Sequence, residues 1–310
     1  MAVDFELEVG AVLGGPSNPL GEAVELARAE DRIFGFCLLN DWSARDIQSW
    51  EMVPLGPFNG KNWATTVSAW IVTAEAMEPW VSFFMCLFWT FFSVFFCSFF
   101  LWGKKTHSLS LSLSLSLSFS LFLDFLFQIP FKKRTSSVPQ EDPRPLPYLD
   151  EETANLRSRS ALDVSLEVEV RTTSSSSSSS ASSSSFSSPP CPGCVVSRSN
   201  ARHLYWSFPQ MVTHHSAGGC PLLPGDLLGS GTVSAPGGID GGGLGCLLEM
   251  TRAGREPLRL ACGTTRTYLE DGDEVLASIQ VSRDRNMMLV GRTKGIKKGV
   301  LMVVSGLVSS

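Results

Sequence analysis

Alternating polar and apolar residues near the start of the chain predict the first strand. Phe5, Leu7 and Val9 fall on one face of an extended segment and Glu6 and Glu8 on the other, because successive strand side chains point in opposite directions. The pattern predicts a strand with an apolar face in the core and two carboxylates that project together from the opposite face. An exposed edge strand with a merely polar face is the alternative, and it is the more common outcome for so short a pattern taken alone.

A buried strand followed by a short helix is predicted next. Residues 33–39 are almost continuously apolar, which favours a strand that is covered on both faces. Asn40 and Asp41 are residue types that cap helix N-termini, so a helix is predicted to begin there and to continue to about Trp50. Pro54 prevents its extension.

The second half of the chain is predicted to be rich in strands. Residues 161–171 alternate in polarity, with five apolar side chains on one face: Leu162, Val164, Leu166, Val168 and Val170. A turn at 224–226 leads into a predicted strand at 227–233, and the turn at 270–273 predicts a hairpin between two further strands. Residues 174–188 are nearly all Ser, and the tract at 173–190 is predicted to be disordered, because it offers little apolar surface to bury. Together these elements predict a mainly β protein with short helices, of the α+β class.

Residues 81–139 differ in composition from the sequence on either side. Residues 81–102 carry no charge over 22 positions, a length that can span a bilayer. The strict Ser-Leu alternation at 108–121 is more typical of a translated simple repeat than of a strand. We interpret 81–139 as an anomalous insert, such as a retained intron, with a genuine membrane anchor at 81–102 as the alternative.

Charge and cysteine usage narrow the classes of function. The net charge of -5 comes from scattered acids without a basic stripe, which argues against nucleic acid as a partner. Eight cysteines and the lack of an apolar leader near Met1 favour free thiols in a reducing cytosol, so we expect a cytoplasmic protein. The CxxC spacing at 191–194 has no second such pair, and we do not assign it to zinc or redox chemistry.

Three acids are candidates for a divalent-cation site. Glu6 and Glu8 project from one strand face, and two carboxylates held so close are costly unless a positive charge neutralises them. Asp41 follows a buried strand, which is a usual location for site residues. Arg45 and Gln48 come four and seven residues later, so they are predicted to share a helical face with Asp41. The alternative is that Asp41 only caps the helix and pairs with Arg45.

An ordered series of longer motifs resembles the fumarylacetoacetate hydrolase family. The motifs are ELE (6–8), NDWSARDIQ (40–48), VPLGPFNGK (53–61), DPRPLPYL (142–149), THHS (213–216), PGDLLGSGTVS (224–234) and DGDEV (271–275). Their combined length and order are highly specific, and DPRPLPYL and THHS are most similar to the fumarylacetoacetase branch. The resemblance implies a mixed β-sandwich roll, with 1–80 and 140–310 as the two parts of one catalytic domain.

The resemblance also implies two metal sites. Glu6, Glu8 and Asp41 would coordinate Ca2+ or Mg2+, which would chelate the diketo oxygens of the substrate. Lys61 and Thr65 would support a second, structural Mg2+ site near Asp41.

The same resemblance assigns catalytic and substrate-binding roles. Arg45, Gln48 and Lys61 would stabilise an enolate-like leaving group. Thr232, together with Gln48, would bind the substrate, and Glu249 would orient a general base. The implied reaction is hydrolysis of the carbon-carbon bond of 4-fumarylacetoacetate to fumarate and acetoacetate, the last step of tyrosine and phenylalanine catabolism, by a homodimer.

The sequence departs from the family pattern in two ways. Met52, counted here as a substrate-binding position, stands where the family has a Tyr. The family's general-base His and one further carboxylate ligand belong to a segment that precedes the ELE strand, and none of the four histidines matches that base: His107, His203, His214 and His215. We therefore expect little or no turnover, with a catalytically inactive dimerisation partner or a membrane-tethered metal-binding protein as alternatives.

Overall fold

Strands predominate in the computed structural model, and the helices are short. The structure describes residues 2–62, 64–77, 134–156, 160–172, 191–280, 286–294 and 301–308. This arrangement confirms the mainly β fold class. Most of the predicted insert, including the 81–102 segment for which a membrane anchor is the alternative, lies outside the described residues, as does the Ser-rich tract at 173–190. Among the helices that are described, none is long and apolar enough to cross a membrane.

The first of two five-stranded sheets contains the strands that carry the candidate acids. Its members are β2 (Leu7–Leu13), β3 (Ile33–Asp41), β5 (Thr65–Val67), β6 (Val72–Thr73) and β11 (Leu227–Gly229). The strands pair antiparallel in the order β11-β2-β3-β5, and β6 also pairs with β3. The predicted strand at 33–39 is confirmed and continues to Asp41.

The second five-stranded sheet packs its apolar face into the core. Its members are β9 (Ser165–Thr172), β10 (Cys191–Asn200), β14 (Glu274–Gln280), β15 (Asn286–Lys294) and β16 (Leu301–Val308), in the antiparallel order β10-β9-β14-β15-β16. The predicted apolar face is confirmed, because the five alternating side chains from Leu162 to Val170 are all at most 2% exposed. They share one core with Phe5, Leu7 and Val9 from the first sheet. The predicted strand at 161–171 is interrupted, however: Ala161–Leu162 forms a separate short strand, and the strand of this sheet begins at Ser165.

Short elements complete the described fold. Three two-stranded pairs are present: β1 (Val3–Asp4) with β4 (Ser43–Ala44), β7 (Arg134–Thr135) with β8 (Ala161–Leu162), and β12 (Leu258–Arg259) with β13 (Thr265–Arg266). The α-helices are α1 (Leu26–Ala29), α2 (Arg45–Glu51), α3 (Phe208–Ser216) and α4 (Leu247–Met250). Single 3-10 turns occur at Glu30–Arg32, Glu75–Met77, Pro147–Leu149 and Ala201–His203.

The predicted start of helix α2 was wrong by several residues. Asp41 is the last residue of β3, where it pairs across the sheet with Thr65, and the helix begins only at Arg45. Ala44 is the N-cap residue and makes no side-chain cap. The strand pairing of Asn40 and Asp41 therefore overrides the local capping preference of both residues, on which the predicted helix start was based.

Two predictions for the second half also need correction. The predicted strand at 227–233 is regular only over Leu227–Gly229, although backbone bonds from Ser230 and Val233 continue along β2. The turn at 270–273 does not join two paired strands, because β13 pairs with β12 whereas β14 pairs with β9 and β15. Asp273 instead uses its carboxylate to bind Arg266 and the backbone N–H of Glu270.

Candidate metal centre

Glu6 and Glu8 are buried acids in the interior of a sheet. Their exposed fractions are 7% and 4%, because β2 lies between β11 and β3 rather than at an edge. The alternative of an exposed polar edge strand is therefore wrong. Glu6 itself precedes the regular part of β2 and forms an isolated bridge with Cys246, while its backbone N–H donates to Asn40 Oδ1 at 2.9 Å.

Asp41 brings the third carboxylate to the same point. It ends β3, the strand that pairs directly with β2. One carboxylate oxygen from each of Glu6, Glu8 and Asp41 lies within 4.8 Å of the other two. Three hard oxygen donors at this separation are the ligand type that Ca2+ and Mg2+ prefer. We call Glu6, Glu8 and Asp41 the acidic cluster.

Lys61 lies between two members of the acidic cluster. Its Nζ is 2.5 Å from Glu6 Oε2 and 2.8 Å from Asp41 Oδ2. The Lys61 side chain is only 19% exposed, so it is not the surface lysine that its isolated position in the sequence would indicate. Its ammonium group partly neutralises the acids that it bridges.

Arg45 adds a second cation from the start of helix α2. Its guanidinium contacts Glu6 Oε1 at 2.7 Å and Asp4 Oδ2 at 2.9 Å, and it donates to Gln48 Oε1 at 2.8 Å. Asp4 is completely buried and also accepts from the backbone N–H groups of Leu247 and Leu248. Asp4 thus fixes Arg45 in the orientation that reaches Glu6.

The three acids titrate differently because their surroundings differ. Burial raises the pKa of Glu8 to about 8, and the neighbouring Glu6 and Asp41 carboxylates add to the rise. Burial also acts on Glu6, but Lys61 and Arg45 together outweigh it and hold the pKa of Glu6 below its usual value. Burial raises the pKa of Asp41 despite its contact with Lys61. Glu8 is therefore the acid whose negative charge is least compensated by Lys61 and Arg45.

A loop from the second half of the chain reaches the acidic cluster, and a short helix that follows this loop in the sequence binds Asp4. The backbone N–H of Gly231 donates to Glu8 Oε2 at 3.1 Å, and the next residue, Thr232, is half-buried beside it. Glu249 in helix α4 accepts from Ser234 Oγ at 2.7 Å and from the backbone N–H of Gly245 at 3.2 Å. Residues far apart in sequence are thus assembled around one point.

Comparison with known proteins identifies the family. The sequence model of the family described as "Fumarylacetoacetate (FAA) hydrolase C-terminal" matches residues 1–291 of this chain. The chain belongs to the fumarylacetoacetate hydrolase family. Fumarylacetoacetase of Arabidopsis thaliana is 40% identical over 277 residues, covering 89% of this chain and 47% of that protein. Fumarylacetoacetase of Homo sapiens is 35% identical over 274 residues, covering 88% and 47%.

The chain spans about half the length of the curated relatives that it matches. Among solved structures, the fumarylacetoacetate hydrolase of psychrophilic Exiguobacterium antarcticum aligns with 90% of this chain and 53% of that chain, with a TM-score of 0.43 and 16% identity.

Most of the family positions predicted from the sequence lie around the acidic cluster. Arg45, Gln48 and Lys61 are linked to it by the contacts given above, and Thr65 is the cross-strand partner of Asp41. Met52 caps the C-terminal end of helix α2 and is 49% exposed.

The predicted relation between Asp41 and Arg45 was wrong in detail. Asp41 belongs to a strand and not to the helix, so only Arg45 and Gln48 share a helical face. The alternative pair of Asp41 with Arg45 is also not formed, because Asp41 binds Lys61 and Arg45 binds Asp4 and Glu6.

The sequence interpretation missed Asp4. Its position two residues before Glu6 gives it the same strand parity as Glu6 and Glu8, which is a signal that could have revealed it. The alternating pattern that predicts the first strand begins at Phe5 and therefore does not include Asp4. The structure shows a separate two-residue strand, Val3–Asp4, that pairs with Ser43–Ala44.

Replacing Gly60 with Ala should displace the turn that precedes Lys61. A Cβ at position 60 would lie 2.8–2.9 Å from the Cβ, Cα and N atoms of Gln48, closer than packed atoms tolerate. We expect Gly60→Ala to lower the free energy of unfolding by about 1–3 kcal/mol, as measured by denaturant titration. Gly218→Ala is the matched control, because a Cβ there would meet nothing within 4 Å; an equal loss in both variants would contradict the contact with Gln48.

Proposed function

We propose that this chain forms the metal-binding and charge-stabilising part of a site that hydrolyses the carbon-carbon bond of 4-fumarylacetoacetate. The products would be fumarate and acetoacetate, as in the last step of tyrosine and phenylalanine catabolism. The observation that carries the proposal is the convergence of three carboxylates within 4.8 Å, two of them buried and that of Asp41 partly buried, next to the cationic groups of Lys61 and Arg45. Family membership and relatives named fumarylacetoacetase support the choice of reaction.

The residues of the acidic cluster fit a divalent cation. They supply only oxygen donors, and within the described residues Glu8 has no cationic side-chain contact comparable to the pairing of Glu6 and Asp41 with Lys61. We propose Ca2+ or Mg2+ as the ion, since both take carboxylate oxygens. When bound, such an ion would act as a Lewis acid toward the diketo oxygens of the substrate. Lys61 and Thr65 would support a second Mg2+ site beside Asp41; because an ammonium group has no lone pair, Lys61 could coordinate only through its backbone carbonyl.

Fixed cations near the cluster would stabilise the charge that develops as the bond breaks. Cleavage between the carbonyl carbon and the adjacent carbon leaves an enolate on the departing fragment. Arg45, Gln48 and Lys61 present donors that are already held in place by buried contacts, so little reorganisation is needed during the reaction. Thr232, Gln48 and position 52 would contact the substrate.

The described residues do not provide an evident general base to activate the attacking water. Glu249 would orient a general base, but its side-chain partners in the described part of the chain are Ser234, Gly245 and Cys246. His214 is hydrogen-bonded to Tyr148 instead. We therefore propose that turnover is slow, since loss of a general base costs about 10²- to 10⁴-fold. A homodimer in the cytoplasm is part of the same proposal.

A measurement of substrate binding distinguishes the proposed catalytic function from a purely structural role of the acidic cluster. We expect acetylpyruvate, a small diketo acid, to bind the purified chain only when Ca2+ or Mg2+ is present, and Lys61→Met to weaken that binding; both are measured by calorimetry. Slow, metal-dependent consumption of 4-fumarylacetoacetate, followed by loss of its absorbance, would support the proposed reaction. Metal-independent binding of the diketo acid would refute it.

A further inference from the structure

The turn before Lys61 is held by a carboxylate from helix α2. Glu51, the last residue of that helix, accepts three backbone hydrogen bonds: from Gly60 at 2.6 Å, from Phe58 at 2.7 Å and from Asn59 at 3.1 Å. One side chain therefore satisfies the donors of three consecutive residues. These bonds, led by the one from Gly60, lower the pKa of Glu51 below its usual value, so its carboxylate is charged at neutral pH.

The same turn is fixed on its other side by packing. Gly60 lies so close to Gln48 that a Cβ would meet the helix backbone, and the Gly60 carbonyl accepts from the backbone N–H of Ala44 at 2.8 Å. The turn is therefore joined to both the beginning and the end of helix α2. Lys61 is the next residue along the chain.

Lys61 depends on this turn because its own side chain is long and flexible. Holding a lysine side chain in one conformation is opposed by its rotamer entropy. The Lys61 ammonium nevertheless bridges Glu6 and Asp41 at 2.5 and 2.8 Å. The backbone of residues 58–60 determines the position of the Lys61 Cα atom. Glu51 in turn fixes that backbone through its three hydrogen bonds.

We propose that Glu51 is a positioning residue that holds the 58–60 turn so that the Lys61 ammonium reaches Glu6 and Asp41. Glu51 itself need touch neither metal nor substrate. The consequence for catalysis rests on the function proposed above, whereas the structural coupling between Glu51 and Lys61 does not.

A double-mutant cycle on the metal-free chain tests the coupling. Glu51→Ala and Lys61→Met are compared singly and together by the midpoint of denaturant unfolding. If Glu51 acts through Lys61, each change lowers the midpoint, and the double variant lowers it by clearly less than the two shifts added together. Additive shifts would overturn the proposal, because a turn that is merely structural would contribute equally in both backgrounds. Glu51→Gln, which keeps one acceptor oxygen, is measured alongside and should give a smaller shift than Glu51→Ala.

Calcium affinity provides a second readout in the same four proteins. The Lys61 ammonium competes with a cation for Glu6 and Asp41, so its release should tighten calcium binding. We expect Glu51→Ala to lower the dissociation constant by about threefold or more in the otherwise unchanged chain, and to leave it unchanged in the Lys61→Met background. An equal change in both backgrounds would overturn the proposal.

A control variant and the two readouts together distinguish the coupling between Glu51 and Lys61 from the proposed metal-binding function. Glu25→Gln replaces an exposed glutamate that makes no capping bond at the start of helix α1, and it should change neither readout. If no variant binds calcium, the proposed metal function fails, but a non-additive unfolding cycle would still support the positioning role of Glu51.

Discussion

Replacing Arg45 with Met should lower the free energy of unfolding by about 3–5 kcal/mol, because it removes the guanidinium that pairs with the buried Asp4 and one of the two cations that pair with Glu6. Asp4 is completely buried and Glu6 is 7% exposed, and both lie within 2.9 Å of the Arg45 guanidinium. A loss of this size is a large fraction of the stability of an ordinary domain. It would be measured by denaturant titration of the full chain in the absence of metal.

Arg198→Met is the matched control for that result. Arg198 pairs with Glu167 at 2.8 Å, a distance similar to the Arg45 contacts, but its side chain is 71% exposed. Exposed pairs contribute about 0–1 kcal/mol. If both substitutions cost the same, the buried arrangement of Asp4, Arg45 and Glu6 would not be the source of stability.

Calcium should reverse the sign of the effect of Glu8→Gln on stability. Without metal, the Glu8 carboxyl is buried beside two other acids that oppose its ionisation, so replacing it with a neutral amide should leave the chain equally stable or more stable. With calcium at about 100 times its dissociation constant, the unsubstituted chain should gain about 2.7 kcal/mol. Glu8→Gln should lose most of that gain, because one of the three carboxylate ligands is gone.

The comparison is made by thermal unfolding with calcium and with chelator. Asp240→Asn, in an exposed loop, is the control and should follow the unsubstituted chain under both conditions. A calcium-induced gain of the same size in Glu8→Gln would show that the ion binds elsewhere.

Local patterns predicted where several strands lie, but not which strands contact one another. The alternation around Glu6 and Glu8 predicted correctly that both acids point to one side, because strand parity is a property of the backbone. It could not show that β2 is an interior strand, since the covering strands β3 and β11 come from other parts of the chain. The local sequence therefore could not predict that Glu6 and Glu8 are buried.

The error at Asp41 has the same origin. An Asp between an apolar run and a helical pattern is a normal helix cap, and nothing within ten residues indicates otherwise. The observed state depends on pairing with Thr65 and on the ammonium of Lys61, which lies 20 residues away. Long-range pairing decides between two locally acceptable structures.

The longer motifs predicted candidate site residues but not the contacts that these residues make. The ordered strings around NDWSARDIQ and VPLGPFNGK pointed to Arg45 and Lys61 through resemblance alone. They did not reveal Glu51, because its partners are backbone N–H groups that carry no side-chain signature. Asp4 was detectable in principle, since it shares the parity of Glu6.

Calorimetric titration of the purified chain with Ca2+ and Mg2+ tests the central claim most directly. The unsubstituted chain should bind an ion with measurable heat at a saturable site, and the variant with Glu6→Gln, Glu8→Gln and Asp41→Asn should show none while remaining folded by circular dichroism. Equal binding by both proteins, or no binding by the folded unsubstituted chain, would contradict the assignment of the acidic cluster as a metal centre.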